Sequence, residues 1–130
     1  MAESGALAKA ARSTAAHVAF ALVAMGAWAA FANRDHGLGA AALAFAVQGG
    51  LSGLITLVLK RWLEWSFARL QGLAARAAPP LASCATIAAV LWAAHALAGT
   101  PEILATVAVP WSVSTLYAFV YTATLGRQGP

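Results

Sequence analysis

The sequence predicts an all-α integral membrane protein: a four-transmembrane-helix bundle with both termini cytoplasmic and an amphipathic helical segment between helices two and three. Hydrophobic residues make up 62% of the 130 residues and charged residues only 9%, whereas a soluble domain of this size has roughly 25% charged residues. Each of four stretches without Lys, Arg, Asp or Glu is near the length of about 20 residues with which a helix crosses a hydrocarbon core. We expect one transmembrane domain over residues 1–130, with helices at about 13–32, 38–59, 81–98 and 103–125.

The first stretch, residues 13–32, follows Lys9 and Arg12 and ends in Ala30-Phe31-Ala32. A basic flank, an apolar run and small residues at its end are also the features of a cleaved signal peptide. Cleavage at that point would leave three spans. We expect the stretch to be retained, because it is slightly long for a signal peptide and the second stretch begins at once.

The second stretch, residues 38–59, contains the small-residue run Gly49-Gly50-Leu51-Ser52-Gly53. Lipid supplies no hydrophobic force between membrane helices, so they associate through close backbone packing and interhelical hydrogen bonds. Glycines four residues apart favour such packing. The run therefore predicts a tightly packed face on helix two.

The segment 60–78 between the second and third stretches is basic and amphipathic. It is predicted to continue helix two or to form a short helix on the inner membrane surface, ended by Gly72 and then Pro79-Pro80. Its basic residues are the predicted contacts for lipid headgroups or for a partner protein: Lys60, Arg61, Arg69 and Arg76.

Two prolines mark the last stretch, residues 103–125. Pro101 precedes it and is suited to open the helix. Pro110 lies inside it, has no N–H group and displaces the carbonyl of Thr106. That carbonyl needs a polar partner in lipid, and Gln48 of helix two lies at a suitable depth to provide one.

Orientation follows from the basic residues, which are enriched in cytoplasmic loops. Of the eight Lys and Arg residues, only Arg34 falls on the opposite side from the others. Both termini are therefore predicted to be cytoplasmic, in a protein of the bacterial inner membrane. Since the net charge of +4 is explained by this topology, nucleic acid is not expected as a partner, whereas membrane lipids are.

Uncharged polar residues form a stripe on helix two and another on helix four. Their spacing of three or four residues places each stripe on one helical face. We expect the two faces to meet in a polar seam that lines a ligand path, with a histidine near its inner end. The alternative is that the stripes serve only as interhelical hydrogen bonds, worth about 0.6 kcal/mol each. The predicted ligand-lining residues are Gln48, Ser52, Thr56, Ser114, Tyr117, Tyr121 and His17.

The histidines, the cysteine and the carboxylates indicate no cofactor. His17 and His95 fall near opposite membrane faces, so a single chain cannot bind a haem between them. The one cysteine, Cys84, allows no internal disulfide. Neither a metal-ligand cluster nor a nucleophile–base pair is visible. No cofactor, metal site or catalytic residue is predicted, and an enzymatic function is disfavoured.

The outline of four short helices is similar to that of the small multidrug resistance exporters. Proteins of that family use a glutamate in the first helix to exchange protons for cations. In this chain His17 is the only ionisable residue of the first stretch. The resemblance therefore concerns shape, and the proton-exchange mechanism is not carried over.

Two functions are consistent with these features. The first is a small membrane protein that binds or translocates an apolar or amphipathic molecule, such as a lipid intermediate, along the seam. A homodimer or a larger membrane-protein partner is then needed to enclose a path. The second is a non-catalytic accessory or assembly subunit of a membrane complex, docked through segment 60–78.

Overall fold

The computed structural model describes residues 2–128, apart from the side chains of residues 10 and 11, and this part of the chain is all-helical without a β-strand. Four helices, α1 to α4, are joined by short connections, the first of which contains the 3₁₀ turn Arg34–His36. All four are long and apolar enough to cross a membrane, which confirms the predicted helix class and number. The helices are α1 (Ala2–Ala32), α2 (Leu38–Phe67), α3 (Gly72–Ala98) and α4 (Ile103–Arg127).

The helices alternate in direction, so their ends form two groups. The basic end holds the starts of α1 and α3, the ends of α2 and α4, and the turn 68–71. The loop end holds the connections 33–37 and 99–102. All four helices extend at the basic end beyond the predicted stretches, α4 by only two residues and α3 back to Gly72. Helix α1 begins at Ala2, because the residues before Ser13 are rich in alanine, the strongest helix former, and α2 continues through Lys60 to Phe67.

Segment 60–78 does not form a separate helix on the membrane surface. Its first part continues α2, which is the first of the two predicted alternatives, and its last part begins α3 after the turn 68–71. Gly72 has a φ of +60°, a conformation that a residue with a side chain rarely adopts, and the chain reverses there. Pro79 and Pro80 lie inside α3 instead of ending a helix, and both are buried. Each ring lacks the N–H group that would otherwise bond the preceding turn of the helix.

Helices α2 and α4 run parallel and form the central pair, as the sequence predicted. Helices α1 and α3 flank this pair on opposite sides and do not touch each other within residues 2–128. The main apolar cluster lies among α2, α3 and α4, and no described side chain of α1 belongs to it. Its buried members are Leu59, Leu63, Ile87, Leu91, Val107 and Ala118.

Helix α1 packs instead on the glycine face of α2. A β-carbon at Gly49 would lie 2.8 Å from the backbone oxygen of Leu22, and one at Gly26 would lie 3.0 Å from the ring of Phe45. The contact at Gly49 is too short for a real β-carbon, and the one at Gly26 would require the Phe45 ring to shift. The predicted tight packing of helix two is therefore observed, and its partner is α1.

Exposed and buried residues are distributed as in helices that lie in lipid. Large apolar side chains face outwards: Phe20 is 74% exposed, Leu38 87% and Leu97 91%. By contrast, the polar side chains of Gln48 and His95 are fully buried. A soluble protein rarely exposes so much contiguous apolar surface, so the distribution suggests a membrane protein.

Candidate functional site

A hydrogen-bonded row of buried polar side chains crosses from α2 to α3 near the loop end. Gln48 Nε2 donates to Ser52 Oγ, one turn along α2, at 2.9 Å. Gln48 Oε1 accepts from Nε2 of His95 on α3, also at 2.9 Å. Because Gln48 and His95 are both fully buried, this contact fixes the separation and register of the two helices.

The turn after α3 holds His95 at its other ring nitrogen. His95 Nδ1 lies 2.8 Å from Thr100 Oγ1. Since Gln48 accepts from Nε2–H, the neutral imidazole has a bare Nδ1, and the Thr100 hydroxyl donates to it. Gly99, at a φ of +74°, ends the helix in a left-handed residue. That turn lets the Thr100 N–H donate to the His95 carbonyl at 3.0 Å.

Asn33, just after α1, joins the two helix hairpins at the same end. Its Nδ2 donates to the Ala29 carbonyl at 2.8 Å and to Thr106 Oγ1 at 2.7 Å. Its Oδ1 accepts from the backbone N–H of Glu102 at 3.0 Å. One fully buried amide therefore fixes the end of α1 against the start of α4. The Glu102 carboxylate also meets His36 Nε2 at 3.0 Å, in a partly exposed pair of small energetic value.

The buried polar groups at the loop end all take part in hydrogen bonds. Within residues 2–128, no buried side-chain nitrogen or oxygen lacks a hydrogen-bond partner. Burying an amide or an imidazole is costly unless it is bonded, and here each one is. Helix packing therefore accounts for these residues without a ligand.

The predicted seam is not assembled along α2 and α4, because most of its hydroxyl groups bond within their own helices. Thr56 Oγ1 donates to the Ser52 carbonyl at 2.8 Å. Ser114 Oγ donates to the Pro110 carbonyl at 2.9 Å. Such bonds to the preceding turn satisfy a hydroxyl without linking two helices. Helices α2 and α4 meet instead through the main apolar cluster and, at the basic end, through the bond from Tyr121 to Glu64.

The predicted bond between Gln48 and the Thr106 carbonyl is wrong. Gln48 Oε1 bonds His95 on α3, and Gln48 Nε2 donates to Ser52 within α2. His17 lies on an exposed part of α1. It therefore does not lie at the inner end of a seam with Thr56 and Tyr121, and both of these hydroxyls bond other groups.

The remaining predicted residues of α4 lie on an exposed surface that we call the tyrosine face. It forms a shallow cavity of about 380 Å³ along one side of the helix. The rings of Tyr117 and Tyr121 stack there, with centroids 5.5 Å apart and planes inclined by 5°. The lining residues are Val113, Leu116, Tyr117, Val120, Tyr121 and Thr124.

The tyrosine face ends at a charged cluster supplied by α2. The hydroxyl of Tyr121 donates to Glu64 Oε1. Lys60 Nζ lies 4.0 Å from the same carboxylate oxygen and 5.9 Å from the centre of the Tyr121 ring. Pairing of Glu64 with Lys60 follows from their spacing of four residues. The bond from Tyr121 does not follow from spacing, because 57 residues separate it from Glu64.

The three arginines predicted as docking residues lie near the basic end in different settings. Arg69 Nη1 donates to the Trp65 carbonyl at 3.0 Å, and its guanidinium lies 3.9 Å above the Trp65 ring. Arg61 is exposed on the last turns of α2. Arg76 lines a second cavity, between the turn 68–71 and the end of α4.

Sequence reasoning missed Asn33, Thr100 and Thr106 as structural polar residues. Each lies at or near a helix end, where polar side chains are common, and this position gives a weak signal. Their partners come from distant parts of the chain: 73 residues separate Asn33 from Thr106. No local pattern identifies such pairs.

The part of the chain that the structure describes holds no group of three or more His, Cys, Asp or Glu side chains that could bind a metal ion. Comparison with protein-family models, with curated proteins and with solved structures found no match to this chain.

Proposed function

We propose that this is a bacterial inner-membrane protein, with both termini cytoplasmic, that binds an amphipathic molecule at the tyrosine face. The observation that supports this function is the position of that face, an apolar cavity along α4 that ends at Lys60, Glu64 and the Tyr121 hydroxyl. A lipid or lipid intermediate has the same division into an apolar chain and a polar end.

Each part of such a molecule has a matching part of the site. An acyl chain would lie against Val113, Leu116 and Val120, which are all more than half exposed. Its polar end would meet Lys60 and Glu64, which lie side by side. The neighbouring tyrosines are of the residue type that favours the membrane–water interface. The site is therefore proposed to select for the polar end and to accept the chain through apolar contact.

Translocation would need more than one chain. The buried polar side chains of a single bundle are used in helix packing, and the tyrosine face is open on one side. A homodimer that brings two tyrosine faces together would enclose a path for the apolar part of the molecule. In this proposal the ligand-lining set narrows from the predicted seam to Tyr117, Tyr121 and their neighbours on α4.

Photolabelling tests the binding site. The protein is reconstituted in vesicles that contain a phospholipid with a diazirine in its acyl chain, irradiated, digested and analysed by mass spectrometry. Labels are expected on the α4 peptide that carries the tyrosine face. Val120→Trp, which fills the cavity, should reduce labelling about tenfold, a loss of about 1.4 kcal/mol in affinity.

The matched control is Val90→Trp on α3, where the native valine is similarly exposed, 45% against 55% for Val120. It should leave labelling of α4 unchanged. Gln48→Ala should also leave it unchanged in protein that remains folded. Equal labelling of all exposed helix faces, or equal effects of the two tryptophan variants, would contradict a site on α4.

A second function, an accessory subunit of a membrane complex, is favoured by a different observation. In the first half of α1, every residue from Ala2 to His17 whose side chain is described is exposed. Other chains could cover this surface and the neighbouring arginines of the basic end. Co-purification of a stoichiometric membrane protein, lost on combined Arg69→Glu and Arg76→Glu substitution, would support this function over ligand binding.

A further inference from the structure

A second cavity lies at the basic end and shares no lining residue with the tyrosine face. It has a volume of about 530 Å³ and is bounded by the end of α2, the turn 68–71, the start of α3 and the end of α4. Phe67, Leu70 and Leu125 supply apolar walls. Arg76 is the only charged side chain in its lining.

The Arg76 guanidinium has no protein partner within residues 2–128: neither a carboxylate nor a carbonyl oxygen bonds to it. It packs against Gly126, where a β-carbon would lie 3.3 Å from Arg76 Nε. Arg69 differs, because its guanidinium is already held by Trp65. Arg76 therefore presents an unpaired, planar cation at a cavity with apolar walls.

The backbone beside Arg76 also favours an anion. Gln71 and Gly72 line the cavity and begin α3. Gln71 makes no side-chain capping bond to the first turn. The first amide N–H groups of α3 therefore have no capping side chain that accepts a hydrogen bond from them. Unsatisfied N–H groups and the helix dipole attract negative charge at this position. The nearest carboxylate of α2, Glu64, is bonded to Tyr121 and Lys60 and does not line the cavity.

We infer that this cavity binds the phosphate of an anionic phospholipid, with Arg76 as the main contact and the apolar walls against the adjoining part of the lipid. A guanidinium matches a phosphate in planar, two-point geometry. The excess of basic residues at this end also attracts anionic headgroups. The inference goes beyond ligand binding at the tyrosine face and does not depend on it.

Native mass spectrometry of the full-length protein tests the inference, after release from nanodiscs that contain equal amounts of phosphatidylglycerol and phosphatidylcholine. The wild-type protein is expected to retain phosphatidylglycerol in preference. Arg76→Gln should lower its retention about tenfold, as expected for the loss of one charge-assisted contact. Arg76→Lys, which keeps the charge without the planar fork, should retain an intermediate amount.

Arg61→Gln is the matched control, because Arg61 is an exposed arginine near the same end that does not line the cavity. It should leave retention unchanged, and so should Val120→Trp on the tyrosine face. Equal losses in Arg61→Gln and Arg76→Gln would overturn the inference in favour of a general charge effect. Displacement of the lipid by millimolar inorganic phosphate, or retention of a protein in place of lipid, would overturn it as well. Thermal unfolding of each variant in the same detergent identifies any variant that has lost its fold. Gly126→Ala, which crowds Arg76 without removing it, then serves as the second test. It should also lower the retention of phosphatidylglycerol.

Discussion

Gln48 and His95 illustrate how single polar residues act inside this bundle. Each is fully buried and each has both of its polar positions bonded. Removal of one partner leaves one polar atom of the other buried without a bond, which costs about 1–3 kcal/mol. Replacement of both partners by apolar residues removes this penalty. The two residues are therefore expected to be strongly coupled in stability.

A double-mutant cycle measures this coupling. Gln48→Leu and His95→Phe are each expected to lower the free energy of unfolding by about 1–3 kcal/mol, and the double variant should lose less than the sum. Unfolding is followed by circular dichroism during titration of mixed micelles with sodium dodecyl sulfate. Ser114→Ala is the control, because its hydroxyl bonds only within α4. Additive losses would contradict the Gln48–His95 contact.

Asn33 is a second buried polar residue that we expect to contribute strongly to the stability of the bundle. Its amide satisfies groups from α1 and from the start of α4. Asn33→Ala should lower the free energy of unfolding by about 1–3 kcal/mol, because the N–H of Glu102 loses its partner and Thr106 Oγ1 loses a donor. Asp35→Ala, in the same connection and exposed, should change it by less than about 0.5 kcal/mol. Similar values for the two variants in the same titration would show that Asn33 does not join the hairpins.

At the scale of elements, the contact between α1 and α2 depends mainly on Gly49, more than on the other residues of the run 49–53. Gly49 faces the backbone oxygen of Leu22, whereas a β-carbon at Gly50 would meet nothing within 4 Å. The two glycines are adjacent in sequence and differ only in the direction they face. They provide a matched pair for a test of helix packing.

Gly49→Ala should lower the free energy of unfolding by about 1–3 kcal/mol, since the added carbon forces α1 away from α2. Gly50→Ala should be neutral or stabilising by up to about 1 kcal/mol, because alanine is the better helix former. The same detergent titration compares the two variants. Equal destabilisation by both would indicate that α1 does not pack on this face.

At the scale of the whole molecule, the distribution of basic residues predicts a single orientation in the membrane. Seven basic residues lie at or near one end, and Arg34 lies at the other. With Cys84→Ser as background, Asp35→Cys should react with a membrane-impermeant maleimide in intact spheroplasts. Gln71→Cys should react only after the membrane is permeabilised. The reverse pattern of labelling would contradict the proposed orientation and indicate the opposite one.

The sequence by itself determined that the chain forms four apolar helices with short connections. Long charge-free stretches can satisfy their backbone groups in lipid only as helices, so composition and length were sufficient for this conclusion. The helix ends were less predictable. Alanine-rich residues extended α1, and prolines near the start of α3 were accommodated by burial.

Only the tertiary structure decided which polar groups meet. One residue corresponds to about 100° of rotation around a helix, so a small rotation directs Gln48 to α3 rather than to α4. The pairs that matter most are far apart in sequence, 47 residues for Gln48 and His95 and 57 for Glu64 and Tyr121. Periodicity identifies the face on which a residue lies, but the neighbour that covers this face depends on how all four helices pack together.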